Sequence, residues 1–351
     1  MLAPLFLFAV ASPPSDHPPM VRVAVNCAVV AFSILSLQFL LMARFRWIEA
    51  LFGLDAMWLL IHNVIAFAMF GLALVHGLAL GDDLAPLSVR MVWISLPLIA
   101  WSAWFHHRIA RPYMLARRPF KVRTVHREAP GVWTLNLEPP AGNRLDFAPG
   151  QFQFLRPLTG SLLAQEHPFT IASSPASDGR ISLTIKETGN FTTTIGALSP
   201  GDLVSVHGPF GRFSHLFHPH GDDLVFIAAG VGITPLMSML RSMRHRGEAR
   251  RVLLIYANRE PSAIAFRKEL EAIEAGSTPS LKVVHVLSRA PDGWHGLPGR
   301  LDAPLVQLIC PDLSGKTFFI CCPPRMTASL ITGLRRAGVN SNRIHAECFG
   351  L

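Results

Sequence analysis

Hydrophobic and polar positions change their rhythm near residue 112. Before it, apolar residues run together in long blocks; from Phe120 onward they come in short alternating groups. Val21 to Ala43 is one block, closed by Arg44 and Arg46. Ala56 to Leu80 is a second, ending at Gly81-Asp82-Asp83, and Met91 to Trp104 with its flanks is a third. Each approaches the ~20 residues that a helix needs to cross a bilayer. Phe45 to Asp55 reads as an amphipathic connector. Met1 to Ala11 is too short to span, and a signal-peptide core or a truncated helix both fit it. The pattern predicts a membrane α-helical anchor over residues 1–112.

Between 118 and 216 the apolar positions alternate with a period of two, punctuated by proline and glycine. Strands are predicted at Lys121–Val125, Val132–Leu137, Phe152–Leu155, His167–Ala172, Ile181–Ile185 and Leu203–His207. Six short strands without helical periodicity predict a six-stranded antiparallel β-barrel. Between 221 and 351 strands alternate with helices. Leu224–Ala229 precedes a helix from Leu236, and Arg251–Ala257, Ala263–Ala275, Leu281–Val286, Thr317–Cys322 and Met326–Ala337 follow. That rhythm predicts an α/β domain on a parallel sheet, with ligands at the C-terminal strand ends.

Composition sharpens the division. Half of the 351 residues are hydrophobic, concentrated before residue 110, and the mean hydropathy is +0.35. The net charge is +9, but the densest basic group, Arg108 to Arg123, directly follows an apolar block. Orientation in a lipid bilayer explains that placement better than a nucleic-acid partner does. Basic ends after the first and third blocks predict a multi-pass membrane protein whose soluble remainder lies in the cytoplasm. Five cysteines, at 27, 310, 321, 322 and 348, lack metal-ligand spacing and read as reduced thiols.

His62 and His76 fall within the second block. Fourteen residues are close to four helical turns, so both rings face one way, about 21 Å apart. They cannot share one iron, but each could ligate a separate haem b. Hydrogen bonding to neighbouring helices is the alternative. The connector, the Gly53-Leu54-Asp55 turn and this histidine pair resemble the transmembrane domain of ferric reductases and NADPH oxidases. In that family a further helix supplies opposing histidines. This chain departs from the pattern, since after His76 only one more apolar block follows, and its histidines, His106 and His107, sit together at its end. A homodimer, a partner subunit or a non-histidine ligand would have to complete the haem ligation.

The soluble part resembles the ferredoxin–NADP reductase superfamily from about residue 118 to the end. His167-Pro168-Phe169-Thr170 is similar to that family's flavin strand. The resemblance implies that Phe169 packs on the isoalloxazine of FAD, Thr170 contacts its edge, and His167 lies near the phosphate side. Gly189-Asn190-Phe191-Thr192 opens a probable helix, a suitable anion site, and the resemblance assigns it the FAD pyrophosphate. Plain N-capping is the alternative for Thr192.

Gly230-Val231-Gly232-Ile233-Thr234-Pro235 joins a buried strand to a helix, and the glycines let backbone approach a phosphate. Gly-x-Gly-x-Thr-Pro is the superfamily's form of this turn. Arg259 follows a strand where an adenosine 2′-phosphate could bind, which leans towards NADPH over NADH; a solvated loop charge is the alternative. Cys321-Cys322-Pro323-Pro324-Arg325-Met326 resembles the family's Cys-Gly-Pro-x-x-Met element, implying that Cys321 adjoins the nicotinamide. Cys322 replaces the usual glycine. Glu347-Cys348-Phe349-Gly350-Leu351 resembles the family's acidic and aromatic ending, with Glu347 near the nicotinamide and Phe349 shielding the flavin.

The expected function is a membrane flavoprotein oxidoreductase. It takes hydride from NAD(P)H to FAD and passes single electrons, by way of haem, to ferric iron, dioxygen or another small-molecule or protein acceptor. A haem-free anchored flavin reductase serving a protein or quinone, and a non-enzymatic subunit of a membrane assembly, are the alternatives.

Overall fold

The computed structural model describes residues 66–80, 87–142, 144–158, 166–218 and 223–348, with short helical stretches between residues 23 and 31. The chain divides into two compact units, Met1–Pro112 and Tyr113–Leu351.

In the first unit, helix α1 (Ala66–Leu80) and helix α2 (Leu87–Phe105) approach where Gly71 leaves room for the Trp101 ring. A π-helical turn, His106–Ala110, leads into α3 (Arg111–Ala116). The expected membrane spans are overturned here. Among the described residues no helix is long and apolar enough to cross a membrane. The nineteen residues of α2 include Arg90 and three serines, which dilute its hydropathy. Val21–Ala43 lies almost wholly outside the described residues. The membrane anchor, the lipid bilayer as partner and the multi-pass location with cytoplasmic domains are withdrawn together.

The second unit begins with the barrel. Its strands are β1 (Phe120–Ala129), β2 (Val132–Glu138), β3 (Phe152–Pro157), β4 (His167–Thr170), β5 (Ile181–Lys186) and β6 (Leu203–Phe210). They are ordered β4-β3-β6-β1-β2-β5, and every pairing is antiparallel. A single bridge, Ile171 to Leu183, closes the barrel. Period-two alternation turns Leu135, Leu137, Leu155, Ile181, Leu183 and Val204 into one buried core. Burial of each such side chain stabilises by about 1.5–3 kcal/mol.

The α/β part carries β7 (Asp223–Ala229), β8 (Arg251–Asn258), β9 (Ser280–Leu287), β10 (Leu297–Pro298), β11 (Thr317–Cys321) and β12 (Ile344–Glu347). The parallel sheet runs β10-β9-β8-β7-β11-β12. Helices α4 (Ile233–Arg246), α5 (Arg267–Glu274), α6 (Ala303–Ile309) and α7 (Pro324–Arg336) cover it. Central β7 is buried on both faces: Phe226 and Ala228 join one core with Leu236 and Met239, while Val225 and Ile227 join another with Phe318 and Leu330. A near-continuous apolar run is what a doubly covered parallel strand requires.

Helix α4 ends on Gly247 in the left-handed region (φ +63°), with Arg244, His245 and Arg246 in its last turn. Glycine suits that conformation, and the cations suit the negative helix end. The same helix ties the sheet to the barrel. Arg241 Nη1 donates to the Ala172 carbonyl at 2.7 Å, and Ser238 Oγ donates to the Ser173 carbonyl at 2.7 Å. Both acceptors continue the chain of β4, so the first helix of the nucleotide-type fold is anchored to the end of the expected flavin strand.

Candidate functional site

Strand β4 pairs with β3 on one edge, with Phe152 opposite Thr170 and Phe154 opposite Pro168. Pro168 has no N–H to offer, which suits an edge strand. Thr170 is buried, and its Oγ1 has no hydrogen-bond partner. A buried hydroxyl left unmade is costly, so this atom awaits a partner. The rings of His167 and Phe191 stack with centroids 3.9 Å apart, and Phe169 lies 6.0 Å from Phe191, nearly parallel. Phe191 thereby brings the Gly189 turn to β4, a role the sequence did not reveal.

That turn is closed by its own side chain. Thr192 Oγ1 accepts from the Thr188 and Gly189 N–H groups at 2.8 and 2.9 Å and donates to the Gly189 carbonyl at 3.0 Å. The segment Thr192–Ala197 is a 3-10 helix, not an α-helix. Around Gly189 there is open space.

At the C-terminal ends of the parallel sheet the packing is tight. A Cβ on Gly232 would fall on the Cys321 carbonyl oxygen, so β7's turn can lie against β11 only with glycine there. Gly230 has φ +54°, and its carbonyl accepts from Tyr256 Oη at 3.1 Å. Burial pushes that phenol well above its ordinary range. Thr234 is buried and donates from Oγ1 to the Val231 carbonyl at 3.1 Å. Cys321 is fully buried; burial first, then the Glu347 carboxylate, hold its thiol well above the usual range. Burial likewise pushes Cys322 up to about 12. Both cysteines are packing thiols at neutral pH.

Glu347 lies beside Cys321 in the β11–β12 register. Its Oε2 is buried without a partner, and burial pushes its pKa up to about 7. Gly211 joins the two halves: a methyl group there would lie 3.1 Å from the Phe152 ring and 3.9 Å from Glu347 Oε1. Gln151, which the sequence analysis did not single out, holds this point. Its Nε2 donates to the Gly211 carbonyl at 2.9 Å while its Oε1 accepts from Ala148 N at 2.8 Å. The Pro149-Gly150 turn before it was the available signal.

Arg259 is exposed after β8, and its carbonyl accepts from Arg289 N at 2.8 Å. A second arginine, also missed, therefore stands at the same end of the sheet. His62 and Phe349 lie outside the described residues. His76 has Nδ1 2.8 Å from the Ala24 carbonyl oxygen. The described residues thus supply one of the expected haem imidazoles, not an opposed pair, and no group of three metal-ligating side chains occurs among them.

Residues 116–211 match the family described as FAD-binding domain, and residues 226–330 match the oxidoreductase NAD-binding domain family. The gamma subunit of sulfhydrogenase 1 from Pyrococcus furiosus is 34% identical over 210 residues, 59% of this chain and 70% of its own length. The chain belongs to the ferredoxin–NADP reductase family. The glycine betaine monooxygenase reductase subunit of Pseudomonas aeruginosa is 31% identical over 209 residues, 58% of this chain and 56% of that protein. The FAD/NAD-binding domain of a nitric oxide dioxygenase from Vibrio cholerae shares the fold, with TM-score 0.59, 24% identity, and coverage of 67% of this chain and 99% of that one. This ferredoxin–NADP reductase family member therefore contains FAD- and NAD(P)H-binding domains. It is an NAD(P)H-dependent FAD oxidoreductase that passes electrons on.

Proposed function

We propose that the chain takes hydride from NAD(P)H, with NADPH preferred, and delivers the electrons singly to a separate protein acceptor. The convergence at Gly211 carries this reading. It brings Phe152, opposite the buried hydroxyl of Thr170, and the half-buried carboxyl of Glu347 within 4 Å of one point at Gly211. Both orphaned polar atoms and the open space at Gly189 fit a flat ring with a phosphate tail. When bound, FAD supplies the conversion of a two-electron donor into two one-electron transfers.

The chain's own residues do the positioning. Phe169 covers a ring face, and Thr170 Oγ1 donates to a ring-edge acceptor. His167 with Phe191 forms a stacked shelf beside them, and the Gly189–Thr192 turn offers backbone to a phosphate. Gly230 and Gly232 let a dinucleotide approach the sheet, while buried Thr234 fixes the turn and Cys321 seats it. Glu347 holds a proton at Oε2 near neutrality and can hydrogen-bond a carboxamide or return the proton. Arg259 and Arg289 together favour a 2′-phosphate.

The name of the Pseudomonas relative, a reductase subunit of a monooxygenase, supports a protein acceptor. Haem, ferric chelates, dioxygen and quinones are the competing acceptors; the described residues do not assemble an opposed pair of haem ligands. The test is anaerobic reduction of the FAD-loaded chain with NADPH, followed by an oxidised iron–sulfur ferredoxin, a ferric chelate or dioxygen. Reoxidation fastest with the ferredoxin is expected. Fast reoxidation by dioxygen or the chelate, with none by the ferredoxin, would sink the protein-acceptor reading.

A further inference from the structure

The segment joining the barrel to the sheet carries a group that electron transfer does not use. Ser214 opens a single 3-10 turn, His215–Phe217, its Oγ accepting from Leu216 N at 3.4 Å. This turn puts the His215 side chain inside the protein at 1% exposure. Neither ring nitrogen has a hydrogen-bond partner; the nearest carboxylate oxygen, Glu248 Oε2, is 3.8 Å from Nε2. Burial first, then the charges of Arg250 and Arg246, hold its pKa down to about 3, so the ring is neutral near pH 7. A neutral imidazole carries one N–H donor and one lone pair.

His215 lines an open surface pocket of about 600 Å³ together with Leu216, Arg246, Glu248, Ala249 and Arg250. Arg250 Nη1 is buried there with no hydrogen-bond partner. Arg246 Nε, by contrast, is engaged by Glu248 Oε1 at 3.1 Å. That pair is self-neutralising, and the guanidinium of Arg250 is left as the uncompensated charge. A buried cationic donor is expensive to leave unpaired, and a bidentate oxyanion is the partner its planar fork matches. Two orphaned donors on different elements, one in the linker and one just before β8, face the same pocket.

The Arg250 side of this pocket stands at the end of the sheet away from the proposed 2′-phosphate residue. Arg250 immediately precedes β8, whose other end leads to Arg259. Nine steps at ~3.3 Å put about 30 Å between Arg250 and Arg259.

We infer that this pocket is a second ligand site, taking a small oxyanion through Arg250 and the N–H of His215, distinct from the dinucleotide sites. The anion is a phosphate or a carboxylate group, with Leu216 giving an apolar wall to whatever carries it. Binding there touches both the linker and the first turn of the sheet, without touching residues assigned to FAD or NAD(P)H.

The test follows the His215 ring by ¹⁵N-histidine NMR in the full FAD-loaded chain. Inorganic phosphate, sodium acetate and sodium chloride are titrated separately at matched ionic strength. A saturable shift of the His215 resonance with phosphate or with acetate, and not with chloride, is expected; the stronger of the two identifies the headgroup. Arg250→Gln should weaken that binding about tenfold or more, the loss of a charge-assisted bond, with NADPH oxidation unchanged. An unmoved His215 resonance in the folded wild-type chain would overturn the inference, as would shifts that chloride reproduces. Equal titration of Arg250→Gln and wild type would overturn it too. The readout is independent of turnover, so failure of the proposed acceptor chemistry leaves it standing or falling by itself.

Discussion

The two glycine turns proposed to meet phosphates, at Gly232 and Gly189, are built on opposite principles. At Gly232 the backbone of β7's turn presses against the Cys321 carbonyl, with no room for a side chain. At Gly189 nothing approaches, and the turn is held by Thr192, whose hydroxyl satisfies two backbone N–H groups. The sheet turn is rigid because it is part of a core buried on both faces. The barrel turn is kept in shape by a local cap and one aromatic stack. Tolerance to change should differ accordingly.

The largest effect is expected at Gly232→Val. Its side chain would meet backbone, which cannot give way as a flexible side chain could. Overpacking of this kind costs about 1–3 kcal/mol or more. Denaturant titration should show the loss, and NADPH oxidation should disappear. Next comes Glu347→Gln, expected to lower kcat ~10²-fold, the low end for loss of a positioned proton donor. The same variant alters stability against pH. The folded carboxyl titrates at about 7 against 4.5 unperturbed, so the native state keeps a proton the unfolded chain has lost. That contribution is whole below about pH 4.5 and is lost as pH rises through about 7. With glutamine this decline should be absent from melting curves across that window.

A smaller effect is expected at the barrel strand. Thr170→Ala removes one hydrogen bond, worth about 0.5–1.5 kcal/mol, so flavin reduction should slow by ~3–10-fold, while Thr170→Ser keeps the hydroxyl and most of the rate. The smallest is Gly189→Ala. With open space around that position, stability and FAD affinity should stay within about 0.5 kcal/mol of wild type. A loss as large as that at Gly232 would erase the contrast between the two turns.

Much of the fold after residue 118 was legible because its signals are local. The six barrel strands follow from period-two alternation, since one face of each must fill the same core. Strand β4 stops at Thr170, short of the expected Ala172, where the chain leaves β3: Ile171 forms an isolated bridge to Leu183, and Ala172 N donates to the Ser182 carbonyl. Strand β12, Ile344-His345-Ala346-Glu347, is only four residues long, too short for its alternation to stand out, and it pairs along the edge that β11 supplies. Helix α6 escaped notice at seven residues, too short for periodicity to declare itself. The long apolar blocks misled, because hydrophobic content was read as bilayer length; α1 and α2 do not combine extent with apolarity. Within the candidate site, motifs marked the turn and strand-end residues on which the proposed function rests. Gln151, Phe191 and Arg289 were hidden, since their roles depend on partners distant in the chain.

The account stands on a flavin held between β4 and the end of β12 and reduced there by a nicotinamide. Its most direct test is the visible spectrum of the full chain reconstituted with FAD, recorded before and after one equivalent of NADPH without oxygen. Stoichiometric FAD that bleaches fully in wild type, and bleaches far more slowly in Glu347→Gln, is the expected result. A chain that folds but retains no FAD, or retains FAD that NADPH leaves oxidised, would contradict it.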